Sequence, residues 1–168
     1  MSFIETERLI VRKWQLPRDI DDAHAIYGDP ETMHYIPCGA LSREATERLV
    51  RRFIDKDEQN GFGIWPVVLK ENQRVIGECG LAHIPQYGSD IEMAWIFNRV
   101  YHGRGYATEA ARATMGWAFG ELGLPRVYAL IDRENKASIR VANHLHMEYD
   151  RIIRAYNRDL MRYETRSA

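Results

Sequence analysis

The sequence predicts a layered α+β or α/β domain in which a mixed, mostly antiparallel sheet of about seven strands carries helices on both faces. Three observations predict it. Short β-branched or aromatic runs alternate with segments of helical spacing in the order β-α-α-α-β-β-β-α-β-α-β-β. Two pairs of neighbouring strand-like runs, 62–69 with 74–83 and 148–154 with 158–164, are joined by turns short enough for antiparallel hairpins. A strand, a helix and a further strand follow one another at 90–97, 109–122 and 127–131. With 168 residues and 45% hydrophobic content, the chain 1–168 is expected to be one domain with its own core.

The elements follow from local chemistry. Residues 8–14 alternate as a first strand. Between 17 and 28, Ile20, Ala23 and Tyr27 fall on one side of a helix. Asp29 caps a short second helix through Tyr35, with Pro30 at its first position, and Ile36-Pro37-Cys38-Gly39 ends it. Ser42 opens a longer helix whose apolar stripe is Leu49, Phe53 and Ile54, and Asn60-Gly61 stops it. Lys70-Glu71-Asn72-Gln73 turns the first hairpin. Asn135 leads into a helix over 137–145, and the turn at 154–159 carries Tyr156.

Composition excludes several classes. A net charge of −1 argues against nucleic-acid binding, which requires a strong basic excess. The basic run Arg48-Leu49-Val50-Arg51-Arg52 has acidic helical neighbours and reads as a solvated face. No apolar run is long enough to span a membrane, and no signal segment opens the chain. Cys38 and Cys79 match no metal spacing and the six histidines are scattered, so no metal is expected. The expected setting is a reducing cytoplasm, and the expected assembly a monomer or homodimer.

The run His102-Gly103-Arg104-Gly105-Tyr106-Ala107-Thr108 joins the strand at 90–97 to the helix at 109–122. A glycine-rich turn there leaves backbone N–H groups free at a helix N-terminus, where a phosphate or pyrophosphate binds; the same turn also serves as a plain connection. Tyr106-Ala107 replaces the Lys-Ser or Lys-Thr of a nucleotide-hydrolysing loop. A dinucleotide fingerprint lacks its third glycine, with Thr108 at that offset, and lies too far along the chain. The run resembles the acyl-coenzyme A pyrophosphate loop of the GCN5-related N-acetyltransferases (GNAT), Gln/Arg-x-x-Gly-x-Gly/Ala, with His102 at its first position. The opening Glu7-Arg8-Leu9-Ile10-Val11-Arg12, the wording Gly105-Tyr106-Ala107-Thr108-Glu109-Ala110, and Asn135-Lys136-Ala137-Ser138 are similar to the ribosomal-protein N-acetyltransferase (RimJ/RimL-like) branch. That branch's closing Leu-Gly-Phe falls at Leu145-His146-Met147, without the glycine and the aromatic.

The resemblance implies a GNAT fold whose sheet is splayed between the strands at 90–97 and 127–131, with the pantetheine arm of acetyl-CoA in the gap. It implies that Ala94, Trp95 and Ile96 meet that arm, chiefly through backbone, and that His102, Gly103, Arg104, Gly105, Tyr106, Ala107 and Thr108 hold the diphosphate. Asn135 is implied to bind the arm, and Ser138 to lie near the sulfur and protonate the thiolate. Both also read as helix-capping residues.

Acetyl transfer to an amine needs a neutral amine, a stabilised oxyanion and a proton for the thiolate. At neutral pH an α-amine is roughly one-tenth neutral, and a lysine only about once in several thousand. Glu92, flanked by Ile91, Met93 and Ala94, is the candidate base; an edge-strand ion pair is the alternative reading. Acceptor contacts are expected from 27–41 and 154–159, which bring Tyr35, Cys38 and Tyr156. By resemblance to the branch the acceptor is a protein or peptide α-amine. A small amine, such as an aminoglycoside or polyamine, and a non-catalytic acyl-CoA-binding module are the alternatives.

Overall fold

The computed structural model describes residues 3–167. Its sheet has eight strands in the order β1-β2-β3-β4-β5-β6-β8-β7. The strands are β1 (Phe3–Glu5), β2 (Leu9–Arg12), β3 (Ile64–Leu69), β4 (Val75–His83), β5 (Ile91–Phe97), β6 (Arg126–Ile131), β7 (Glu148–Ala155) and β8 (Arg158–Arg166). Four helices accompany them: α1 (Ile20–Tyr27), α2 (Arg43–Asn60), α3 (Tyr106–Gly120) and α4 (Lys136–His144). Every neighbouring pair is antiparallel except β5 with β6.

Alternation along β3 explains the two layers. Trp65, Val67 and Leu69 face one way and join Ala110, Ala111 and Trp117 of α3 and Ala142 of α4. Val68 faces the other way and packs with Ala23, Ile26 and Tyr27 of α1 and Val50 of α2. The small side chains of α3 let it lie close to the sheet centre. Ser42 caps α2 by accepting the Ala45 amide at 3.2 Å, and Gly61 ends it at φ 75°.

Three local readings change. The first strand is a hairpin, because Phe3–Glu5 pairs with Ile10–Arg12 and adds an eighth strand. Its three residues are too few to display a period of two. The segment 29–35 is a series of turns and not a helix. Asp29 does begin a helical turn, accepting the Glu31 and Thr32 amides at 3.2 and 3.1 Å. Pro37 then steers Ile36 away from helical geometry, while Met33 is drawn into the core at 1% exposure. Finally, α3 begins at Tyr106 rather than Glu109, so residues 106–108 form its first turn.

The missing Leu-Gly-Phe has a structural counterpart. His146 adopts φ 57°, the left-handed conformation that ends a helix, and Met147 donates to the Ala142 carbonyl at 3.0 Å. Met147 is buried in the main core. The backbone thus keeps the glycine conformation with a histidine in it. His146→Gly is expected to stabilise the protein by about 0.5–1 kcal/mol, read as a higher urea midpoint at unchanged slope.

Candidate active site

The strands β5 and β6 pair in register at Glu92 and Tyr128 alone. Each gives its other edge to a full ladder, β5 to β4 from Gly77↔Phe97 to His83↔Ile91, and β6 to β8 from Arg126↔Arg166 to Ile131↔Met161. Beyond Glu92 the two inner edges part, leaving backbone donors and acceptors that an extended chain can meet. Ala94, Trp95 and Ile96 line one side of the parting, and Asn135 and Ser138 lie across it on the same cavity. The Asn135 side chain accepts the Ser138 amide at 3.1 Å, so it caps α4 while standing at the cavity wall.

The loop after β5 is built to expose amides. The Asn98 side chain takes the Val100 amide at 3.1 Å, starting a 3-10 turn over Arg99–Tyr101. The His102 ring reaches back to the Phe97 carbonyl, with Nε2 at 2.7 Å; a carbonyl only accepts, so Nε2 carries the proton. Gly103 and Gly105 then take φ 75° and 79°. Among the described residues, the amides of Gly103, Arg104, Gly105, Tyr106, Ala107 and Thr108 have no protein acceptor. A Cβ on Gly103 would meet nothing within 4 Å, and one on Gly105 only Arg8 Nη2 at 3.5 Å. These features fit a diphosphate at the start of α3. The indole Nε1 of Trp95, buried with no partner among the described residues, adds an unmet donor beside the gap.

Arg8 fixes this loop from the far edge of the sheet. Its Nη1 donates to the Arg104 carbonyl at 2.9 Å, its Nε to Glu109 at 2.7 Å, and its guanidinium stacks 4.5 Å from the Tyr106 ring centre. Glu109 also receives the Arg8 amide and the Thr6 hydroxyl. Burial works to raise the Glu109 pKa, yet these hydrogen bonds and the Arg8 charge hold it below its ordinary value. An anionic side chain in the first turn of α3 is therefore already paired and does not oppose a bound anion.

On the α1–α2 side lies a cavity of about 430 Å³. Its walls are largely apolar, with Met33, Ile36, Leu49, Phe53 and Leu160 among them. Glu92 is 7% exposed and receives a hydrogen bond from the Tyr156 hydroxyl; burial pushes its pKa up to about 7, against the pull of that bond. Tyr156 occupies the left-handed region at φ 51° in the two-residue turn between β7 and β8. Arg158, after that turn, donates to the Tyr35 carbonyl at 3.1 Å and so ties the turn to the 29–41 segment. Tyr35, Cys38 and Tyr156 all line the cavity.

Glu78 was not singled out by sequence reasoning, although its setting, a carboxylate inside Val75-Ile76-Gly77-Glu78-Cys79, is the signal that marked Glu92. It is 3% exposed, lines the same cavity, and receives a hydrogen bond from Tyr27; burial pushes its pKa up to about 8. Among the described residues neither Glu78 nor Glu92 has an ion-pair partner, and no group of three metal-ligating side chains occurs. Cys38 and Cys79 are both free thiols, the second buried with its pKa pushed up to about 12 by desolvation.

Two outcomes follow from this geometry. Gly105→Val, which forces a branched residue into φ 79° and puts a Cβ before the free amides, is expected to weaken coenzyme A binding about tenfold or more by calorimetry. Folding raises the pKa of Glu78 and of Glu92 above the ordinary 4.5, so the native state holds protons that the unfolded chain has released. Their contribution to stability is full below about pH 4.5 and is lost as pH rises through about 7 to 8. The melting temperature is expected to fall across that window, with a shallower fall in Glu78→Gln.

Comparison with known proteins agrees with this architecture. The protein YkkB of Bacillus subtilis (strain 168), described as uncharacterised, is 34% identical over 149 residues, covering 84% of this chain and 83% of its own. A GNAT-family acetyltransferase structure from Bacillus anthracis superposes with a TM-score of 0.82 at 30% identity, covering 96% of this chain and 95% of that one. The ribosomal L7/L12 alpha-N-protein acetyltransferase RimL, solved in complex with coenzyme A, shares the fold at 14% identity, with a TM-score of 0.82 and 98% of each chain covered. The acetyltransferase (GNAT) domain family matches residues 8–148. With the open loop, the parted strands and these matches in agreement, the chain belongs to the GNAT acetyltransferases, which draw their acetyl group from acetyl-CoA.

Proposed function

We propose that the chain, acting as one catalytic domain over 1–168, transfers an acetyl group from acetyl-CoA to a primary amine by direct attack in a ternary complex. One observation carries the reading: Glu92, a buried carboxylate with a pKa near neutrality, stands where β5 and β6 part and lines the apolar cavity. When bound, acetyl-CoA supplies an acyl group activated as a thioester. The amides of residues 103–108 hold its diphosphate, and the edges of β5 and β6, with Trp95 and Asn135, hold the arm. Glu92 accepts the proton of the incoming ammonium, directly or through a water, as the new N–C bond forms and the C–S bond breaks. Ser138 relays a proton at Oγ to the departing sulfur and regains one from the second N–H that the amine loses on becoming an amide. Two free thiols suit a reducing cytoplasm as the setting.

Glu92 is preferred to Glu78 as base because it borders the parting of the strands. A compact amine with an apolar body suits the cavity, whose walls carry Met33, Ile36, Leu49, Phe53 and Leu160. A peptide or protein α-amine is the second reading. Cys38 and Tyr156, the latter 39% exposed, border the cavity on its solvent side, where a chain behind the first residue would leave.

The test is release of free coenzyme A against a panel of small amines and peptide N termini. Turnover with compact amines is expected; turnover confined to peptides overturns the acceptor assignment, and none with any amine overturns the transfer. Glu92→Gln is expected to lower kcat by about 10²- to 10³-fold with coenzyme A affinity unchanged. The wild-type rate rises with pH through about 7 as Glu92 ionises, and the variant lacks that limb.

A further inference from the structure

The transfer chemistry uses one carboxylate, yet two face the cavity. Glu78 lies opposite Ile96 in the β4–β5 ladder, and Ile96 follows Glu92 by four positions along β5. An even spacing keeps the side chains on one face of the sheet. At about 3.3 Å per residue, the two glutamates are therefore roughly 13 Å apart along the strand direction, at opposite ends of one cavity. The wall between them carries Ala94 and Ile96, and Leu49 and Phe53 of α2 stand over it.

Glu78 is 3% exposed, and its recorded partner is the Tyr27 hydroxyl. The other charged groups on the cavity are Arg52, exposed on α2, and Asp132, which faces Arg158 at 3.7 Å; neither pairs with Glu78. A carboxylate withdrawn from water is costly to ionise unless a cation meets it. A ligand bringing its own cation to that end of the cavity would be held there by a charge-assisted hydrogen bond, while its stem lies on the apolar wall. Resting on the reading of this cavity as the amine site, we propose that Glu78 is a specificity-determining residue that receives the second amino group of the acceptor, so that the cavity selects α,ω-diamines with an apolar stem over monoamines.

The experiment measures binding and turnover separately. Calorimetry on the coenzyme A-loaded protein compares 1-aminohexane with the straight α,ω-diamines of five to nine carbons, and coenzyme A release from acetyl-CoA is followed with the same amines. The best diamine is expected to bind at least about tenfold tighter than the monoamine, as a charged hydrogen bond supplies. Glu78→Gln is expected to abolish that preference and leave monoamine affinity within about twofold, which also reports that the variant is folded. Glu78→Asp, one methylene shorter, should move the optimum to a longer diamine, a shift that a merely structural role would not produce. Equal affinity for diamines and monoamine in the wild type, or equal weakening of both by Glu78→Gln, overturns the proposal. A diamine preference in binding with no coenzyme A release would count against the transfer reading while supporting the role of Glu78.

Discussion

The parting of β5 from β6 is the constraint on which the rest depends. Each strand is fully laddered on its other side, so neither can rotate to close the gap without breaking bonds to β4 or β8. Because the two strands run parallel, their C-terminal ends lie at the same end of the sheet. The loop that follows β5 and the segment that leads from β6 into α4 must therefore emerge side by side. That brings free amides, the Asn135 cap and Ser138 to one mouth without any long excursion of the chain. The general tendency of ligands to bind beyond the carboxyl ends of parallel strands has the same origin.

The two ends of the site are electrostatic opposites. At the start of α3, N–H groups without a protein acceptor among the described residues and the helix dipole present partial positive charge, and the first-turn carboxylate Glu109 is paired with Arg8. In the apolar cavity, Glu78 and Glu92 have phenol partners but no cation among the described residues, so burial raises their pKa values instead of charge pairing lowering them. The start of α3 thus suits an anion, and the cavity suits a group that brings its own cation.

Local chemistry in the sequence accounts for much of this. The glycines of 103–105 and the helical spacing after them were legible because they act over a few residues, and the hairpins were legible from alternation. The short strand at Phe3–Glu5 was not, since three residues carry no period. The helix expected at 29–35 had a real cap in Asp29, but the pull of the core on Met33 and the bias of Pro37 act against that signal. Glu78 carries the same local signal as Glu92, a carboxylate in an apolar strand, but its place on the same cavity depends on the register between β4 and β5, which neither strand encodes alone. The departures at His102 and His146 are likewise settled by tertiary geometry: one ring braces the loop through the Phe97 carbonyl, and the other residue retains a glycine-like backbone.

Arg8 joins parts of the chain 101 residues apart when its amide meets Glu109. A contact of such long range forms only once most of the polypeptide has collapsed around it. The open-amide conformation of the loop accordingly depends on a strand from the opposite edge of the sheet. Synthesis must pass residue 109 and the leading strand must dock before the amides are held in line, which ties the geometry of the loop to assembly of the N-terminal edge of the sheet.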